Sequence, residues 1–153
     1  MTVLSELAEQ IYDSELGFGG SASERQAEIN LITDWLGAHL GEFNTLTHSC
    51  FTLSDLSLFS LEESAILREM YLIHYYKKRG RLLLRMVDGS SGELDFQTIR
   101  EGDSVITKTN KNEAARNYRL LTELAQGNLS DLVSGYNMYR APPRQITGDD
   151  ADA

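Results

Sequence analysis

Three histidines, His39, His48 and His74, are the residues of this 153-residue chain best suited to metal binding or acid–base catalysis. None lies three or four residues from another, so no two are placed together on one face of a helix. The single cysteine, Cys50, adds no Cys–His cluster with metal-ligand spacing. The pattern therefore predicts neither a metal site nor a bound cofactor.

Four other short runs are of types that occur in catalytic or phosphate-binding sites. His-Ser-Cys at 48–50 puts a base beside nucleophiles, but side chains so close in sequence seldom reach the geometry of a catalytic triad. Gly-Phe-Gly-Gly at 17–20 has no preceding strand, which a phosphate-binding loop requires. The carboxylate pairs at 62–63 and 149–150 are interpreted as a helix start and a solvated tail. We therefore expect no enzymatic activity.

Composition is typical of one soluble globular domain. Hydrophobic residues make up 41% of the chain, and the mean hydropathy is -0.32. No apolar run approaches the roughly 20 residues that cross a bilayer. Acidic residues near the first methionine are unlike the basic start of a signal peptide. One cysteine is consistent with a reducing compartment, so the sequence predicts no membrane insertion and no export.

The formal charge of -9 is unevenly distributed. Residues 1–67 contain eleven acids and one base, Arg25, whereas residues 68–153 contain thirteen bases and twelve acids. This balance argues against tight nucleic-acid binding, which needs a basic surface. It is compatible with a surface that nucleic acid slides past, or simply with solubility.

Helical periodicity divides the first half of the chain. It predicts a helix over about 3–16, a hinge at 17–22, and a second helix to about Leu40. Ser23 is the expected N-cap of this second helix, with Gln26 as its capping-box partner. Its expected core stripe consists of Ala27, Leu31 and Trp35, with Ile32 and Leu36 beside them. Residues 43–59 are predicted to be a loop held to the domain by four apolar side chains: Phe51, Leu53, Leu56 and Leu58.

A central helix is predicted over 60–87. Ser60 and Glu63 have the spacing of a capping box, and apolar residues cover most sides of the first half. Such coverage suggests contact with a neighbouring subunit as well as with the chain's own helices. Five bases between Lys77 and Arg85 spread around the helix, either as a solvated turn or as a contact for an acidic surface. The subunit-interface candidates are Tyr71, Tyr75, Lys77, Lys78, Arg79 and Arg81.

A last helix is expected from a cap at Thr109 or Asn110 to about Val133. Alternating apolar residues between 94 and 107 allow a short β-hairpin. The sequence thus predicts a mainly α fold: a small helical bundle with a possible short β-hairpin, forming a domain over 1–133 with an extended C-terminal arm over 134–153.

The predicted arm combines two prolines, which favour an extended backbone, with aromatic and arginine side chains typical of interfaces. Such a segment usually orders on a partner, although packing on its own domain is the alternative. Its partner-binding candidates are Tyr136, Met138, Tyr139, Arg140, Pro142, Pro143, Arg144 and Ile146.

Several of these runs resemble a known family. They are Glu-Ser-Ala-Ile-Leu at 63–67 with three nearby tyrosines, Asn-Lys-Asn-Glu-Ala-Ala-Arg-Asn-Tyr at 110–118, Tyr-Asn at 136–137 and Ala-Pro-Pro-Arg-Gln at 141–145. Over roughly residues 55–147 the chain resembles the head–tail connector proteins of tailed bacteriophages, also called adaptor, head-completion or neck proteins.

The resemblance implies a structural virion protein of the neck, made in the host cytoplasm. Its copies would form a ring, commonly of twelve, below the portal protein and above a tail or second neck protein. DNA would pass through the channel without specific binding. The alternative, from the residues alone, is a cytosolic helical module for protein–protein interaction or regulation; an enzyme with a dispersed site is a third.

Overall fold

The computed structural model describes residues 3–16, 21–53, 59–88, 98–101, 104–107 and 111–140. The fold is mainly α and forms a small helical bundle, as predicted. No helix in this described part is long and apolar enough to span a membrane. The helices are α1 (Val3–Ile11), α2 (Ala22–Ala38), α3 (Leu40–Thr47), α4 (Leu61–Asp88) and α5 (Lys111–Arg140), and the strands are β1 (Thr98–Glu101) and β2 (Ser104–Thr107).

The first helix is amphipathic. Its buried side chains, Leu4, Leu7, Ala8 and Ile11, recur at the three- and four-residue steps that place them on one face. A π-helical turn over Tyr12–Leu16 extends it to the predicted end.

Helix α2 begins earlier than predicted. Ser21, not Ser23, is the N-cap, since its backbone is extended and its hydroxyl accepts a hydrogen bond from the Glu24 N–H. The Glu24 carboxylate in turn accepts a 2.8 Å hydrogen bond from the Ser21 N–H. The capping box is therefore Ser21–Glu24, and the prediction of Ser23 with Gln26 was wrong.

The core-facing side of α2 also differs from the predicted stripe. Ile29, Ile32 and Leu36 are buried, whereas Leu31 is 65% exposed. Two apolar series run along this helix at helical spacing, and the one with more aliphatic bulk faces the core. Of the predicted residues, Ala27 and Leu31 face outward, Trp35 is half-buried against the core, and Ile32 and Leu36 are buried as predicted.

Helix α3 occupies the start of the predicted loop. The chain breaks only at His39, and Phe43 is then fully buried on the inner side of α3. The helix ends at His48, whose left-handed backbone (φ 51°) is a common helix stop. Phe51 and Phe59 pack near Phe43, with ring centroids 6.1 and 5.4 Å away, and so hold the following connection to the core.

Helices α4 and α5 form an antiparallel hairpin. Near one end Glu63 contacts Tyr136, and further along Gly80 faces Tyr118. The two helices are about 42 and 45 Å long, at 1.5 Å per residue. Neither Gly80 nor Gly127 interrupts its helix.

Helix α5 ends later than predicted. The helix continues to Arg140, seven residues beyond Val133, because Val133 and Tyr136 prolong the series that packs on the core. The predicted arm over 134–153 is therefore helical to Arg140. The candidates Pro142, Pro143, Arg144 and Ile146 lie outside the described residues.

Helix α4 lies at the centre of the core. Its fully buried Ile66 and Leu67 belong to one cluster with side chains of the other four helices. Each such side chain contributes about 1.5–3 kcal/mol to the free energy of unfolding. The chain's own helices thus cover most of the apolar residues in this half of α4, although Leu61 at its start is 90% exposed.

The two strands pair antiparallel, with Ile99 opposite Ile106 and Glu101 opposite Ser104.

Candidate functional site

A buried carboxylate joins the start of α4 to the end of α5. The side chain of Glu63 is 1% exposed. Its Oε1 accepts hydrogen bonds from the Tyr136 hydroxyl at 2.6 Å and from Arg140 Nη2 at 2.8 Å. Its Oε2 accepts the Ser60 N–H, which is the predicted capping contact. The cluster is fully satisfied and lies within one chain.

The environment of Glu63 favours its charged form. Burial acts to raise the pKa of this carboxyl, but the hydrogen bonds from Tyr136 and Ser60 and the charge of Arg140 outweigh it and hold the pKa below its usual value. Burial and the adjacent carboxylate raise the pKa of the Tyr136 hydroxyl, so it remains a donor. This arrangement suits a structural link, because no group in it is poised to exchange a proton near neutral pH.

The predicted partner-binding residues of α5 therefore separate into two groups. Tyr136 is buried and Arg140 is bound to Glu63, so both are engaged within the chain. Met138 and Tyr139 point outward, the latter 87% exposed. The prediction of a free docking residue was wrong for Tyr136, whose hydroxyl has an intramolecular acceptor.

The reactive run at 48–50 does not form a catalytic arrangement. The Ser49 hydroxyl hydrogen-bonds Asn44 and Thr47, at 3.0 and 2.7 Å. His48 and Cys50 are exposed at the helix end, and Ser49 makes no hydrogen bond with either of them within the described residues.

The other two histidines line one cavity of about 310 Å³ beside Trp35. His39 stacks on the indole at 3.9 Å between centroids and contacts the Trp35 carbonyl through Nδ1. Burial and the nearby Lys78 lower the pKa of His74. The His39 and His74 rings are 6.4 Å apart, and no group of three metal-ligating side chains occurs in the described part of the chain.

The predicted interface residues of α4 also divide. Tyr71 is a core residue, buried beside Trp35, and burial raises the pKa of its hydroxyl to about 12. Tyr75 is half-buried, and its hydroxyl accepts a 3.1 Å hydrogen bond from Arg79. Tyr71 is thus engaged in the fold, whereas the cations Lys77, Lys78, Arg79 and Arg81 are exposed.

Two of these cations, Lys77 and Arg81, line a groove between α4 and α5. We call it the basic groove. Its volume is about 470 Å³. We call three of its lining residues the floor, Gly80, Leu84 and Ala115, and four cations the rim, Lys77, Arg81, Arg116 and Arg119; the lining also includes Glu123. Arg119 pairs with Glu123 at 3.1 Å. Among the described residues the other three rim cations have no carboxylate within ion-pair distance.

A second apolar series on α5 faces away from α4. This α5 outer face consists of Leu120, Leu121, Leu124, Leu132, Met138 and Tyr139, all exposed. It lies about 120° around the helix from the buried series that includes Ala125 and Leu129. This face was not predicted from the sequence. The signal was present, since one helix carried two apolar series at steps of three and four.

Helix α2 exposes a smaller feature of opposite charge. This α2 outer stripe consists of Ala27, Leu31 and Ala38, with Asp34 on one side and Glu28 on the other. Neither carboxylate forms an ion pair within the described residues.

Other acids near the N-terminus are already paired. Arg25 binds Glu9 and Asp13 at 2.8 and 3.0 Å, and Arg68 binds Glu15. Within the described residues, the carboxylates of the α2 outer stripe thus differ from Glu9, Asp13 and Glu15, each of which is paired with an arginine.

Comparison of the chain with protein-family models, with curated proteins and with solved structures found no match.

Proposed function

We propose that this protein is a structural subunit that assembles into a ring and serves as a head–tail connector of a tailed bacteriophage. The ring extends the DNA channel below the portal protein and joins the capsid vertex to the tail. Its parts act by contact with other proteins and not by catalysis.

The α5 outer face carries this proposal. A helix with one apolar face can bury that face within its own domain. Helix α5 has a second apolar face that is open to solvent, where Leu124 is 64% exposed. Exposed apolar surfaces of this length are typical of protein–protein contacts. Covering it with a neighbouring copy removes five leucine and methionine side chains and a tyrosine from water.

Three further features support the connector role. The resemblance at 63–67 and 110–118 falls on the two helices of the α4–α5 hairpin. Residues 1–67 contain eleven acids and one base, and this negative charge repels DNA, as the surface of a channel requires. The chain beyond Arg140 carries two prolines and Arg144, which suit an extended segment that docks on the portal beside Tyr139.

Charge placed on the α5 outer face tests the proposal. Leu124→Glu is expected to abolish the assembly and leave a folded monomer, because the side chain is exposed and its loss removes no core contact. The matched control is Ser130→Glu, which adds the same carboxylate at an exposed position on another side of α5. Multi-angle light scattering gives the mass of each variant, and circular dichroism gives its helix content.

Normal assembly of Leu124→Glu would contradict the proposal. A wild-type protein that stays monomeric and captures a peptide on the same face would instead favour the regulatory module.

A further inference from the structure

The basic groove and the α2 outer stripe carry opposite charge, and each includes an exposed leucine. The groove is concave, with an apolar floor at Leu84 and Ala115 and cations around its rim. On the stripe, the exposed Leu31 lies between Glu28 and Asp34. Leu31 and Glu28 also border a smaller cavity of about 240 Å³ beside Lys78 and Arg79 of the same chain. No residue of α2 lines the groove of its own chain, so the two surfaces remain open on the same subunit.

We infer that the α2 outer stripe of one copy seats in the basic groove of the next copy. The inference rests on the proposed ring, since it names the surfaces through which neighbouring copies meet.

The side chains favour this pairing in three ways. Leu31, which is 65% exposed, gains an apolar surface against Leu84 on the groove floor. The carboxylates flanking it reach the rim, where Arg81 and Arg116 have no acidic partner among the described residues. Guanidinium groups bind carboxylates through two parallel hydrogen bonds, which fixes orientation as well as charge.

The distribution of charge along the chain also favours this contact between copies. The acidic first part, residues 1–67, contains the stripe, and the later part contains every cation of the groove. The acidic stripe and the basic groove carry opposite local charge, and their attraction favours a head-to-tail approach of two copies. Because the two surfaces differ, each added copy leaves one of each open, and such contacts propagate until a ring closes.

The basic groove lies next to the α5 outer face around the helix, at Arg116 and Leu120. One neighbouring copy can therefore cover both, with its α2 in the groove and the leucines of α5 buried beside it. The charged groove determines which element of the neighbour docks, and the leucines provide apolar area.

Charge reversal with rescue tests the pairing in the full chain. The groove variant carries Arg81→Glu and Arg116→Glu, the stripe variant carries Glu28→Lys and Asp34→Lys, and a combined variant carries all four substitutions. All four side chains are exposed, so circular dichroism and thermal melting should match wild type. Native mass spectrometry over a concentration series measures the assembly of each protein.

The groove variant and the stripe variant should each require on the order of 100-fold more protein to assemble, since like charges then face each other. The combined variant should assemble as wild type does, because reversal on both surfaces restores opposite charges. Mixing the two single-surface variants should restore assembly as well.

Assembly of either single-surface variant at wild-type concentrations would overturn the pairing and leave the proposed ring intact. Loss of assembly in both without rescue in the combined variant would show that these surfaces do not meet each other. Duplex DNA bound by wild type and lost in the groove variant, with assembly unchanged, would assign the groove to nucleic acid and overturn the inference. A monomeric wild-type protein would contradict the proposed function itself.

Discussion

The hydroxyl of Tyr136 donates a 2.6 Å hydrogen bond to the carboxylate of Glu63, a residue 73 positions earlier in the chain. This contact joins the last turns of α5 to the first turn of α4 and closes the hairpin at the end where the C-terminal segment leaves.

Removing the Tyr136 hydroxyl should destabilise the fold. Tyr136→Phe keeps the ring but leaves a buried carboxylate short of one donor, and we expect a loss of about 1–3 kcal/mol in the free energy of unfolding. Urea denaturation measures it. Tyr139→Phe, at an exposed position three residues on, is the control and should change stability by less than about 0.5 kcal/mol. Equal effects of the two substitutions would show that the hydrogen bond contributes nothing.

Stability should fall in acid through Glu63. Its pKa is lower in the folded chain than its ordinary value of 4.5, so the carboxylate stabilises the fold fully above that value. The contribution is lost as pH falls through the lowered folded pKa. Burial raises the pKa of Glu69, so the effect of Glu69 on stability changes with pH in the direction opposite to that of Glu63. Comparison of wild type with Glu63→Gln therefore isolates the Glu63 contribution. The unfolding free energy of Glu63→Gln should depend less on pH below about 5 than that of wild type; identical curves would contradict this.

Two truncations of the C-terminal part should differ sharply in stability. Ending the chain after Arg140 keeps the whole of α5 and should preserve both helix content and stability. Deleting 135–153 also removes Tyr136 and Arg140, which leaves Glu63 buried without its cation and should cost about 3–5 kcal/mol. Thermal melting followed by circular dichroism separates the two. If the longer deletion melts at the wild-type temperature, the cluster does not hold the hairpin together.

Duplex DNA should bind weakly. With a net charge of -9 the protein repels DNA at long range, so dissociation constants should lie above the micromolar range at about 0.15 M salt. Fluorescence anisotropy with a labelled duplex measures this, and tighter binding would contradict an acidic channel surface and direct attention to Lys77 and Arg81.

Local signals were sufficient to predict much of the architecture. The capping contact between Ser60 and Glu63 and the uninterrupted apolar series of α4 depend on residues a few positions apart, so the sequence predicts them directly. The mainly α fold follows from the same periodicity.

Features that depend on distant partners were not predictable in this way. Ser134 and Gly135 suggested that α5 stops near Val133, because the acceptor that retains the last turns is a carboxylate on another helix. Helices with two apolar series pose the same difficulty, since only tertiary packing decides which series is buried. On α2 the choice left Leu31 exposed, and on α5 it left Leu124 exposed.

The mass of the wild-type protein in solution shows whether the chain assembles into a ring. Native mass spectrometry, with electron microscopy of the same sample, should show one closed species at a whole multiple of the 17.1 kDa chain, with a central channel. Twelve copies is the number that the resemblance implies. A single 17.1 kDa species at every soluble concentration, or a closed two-fold dimer, would contradict the account.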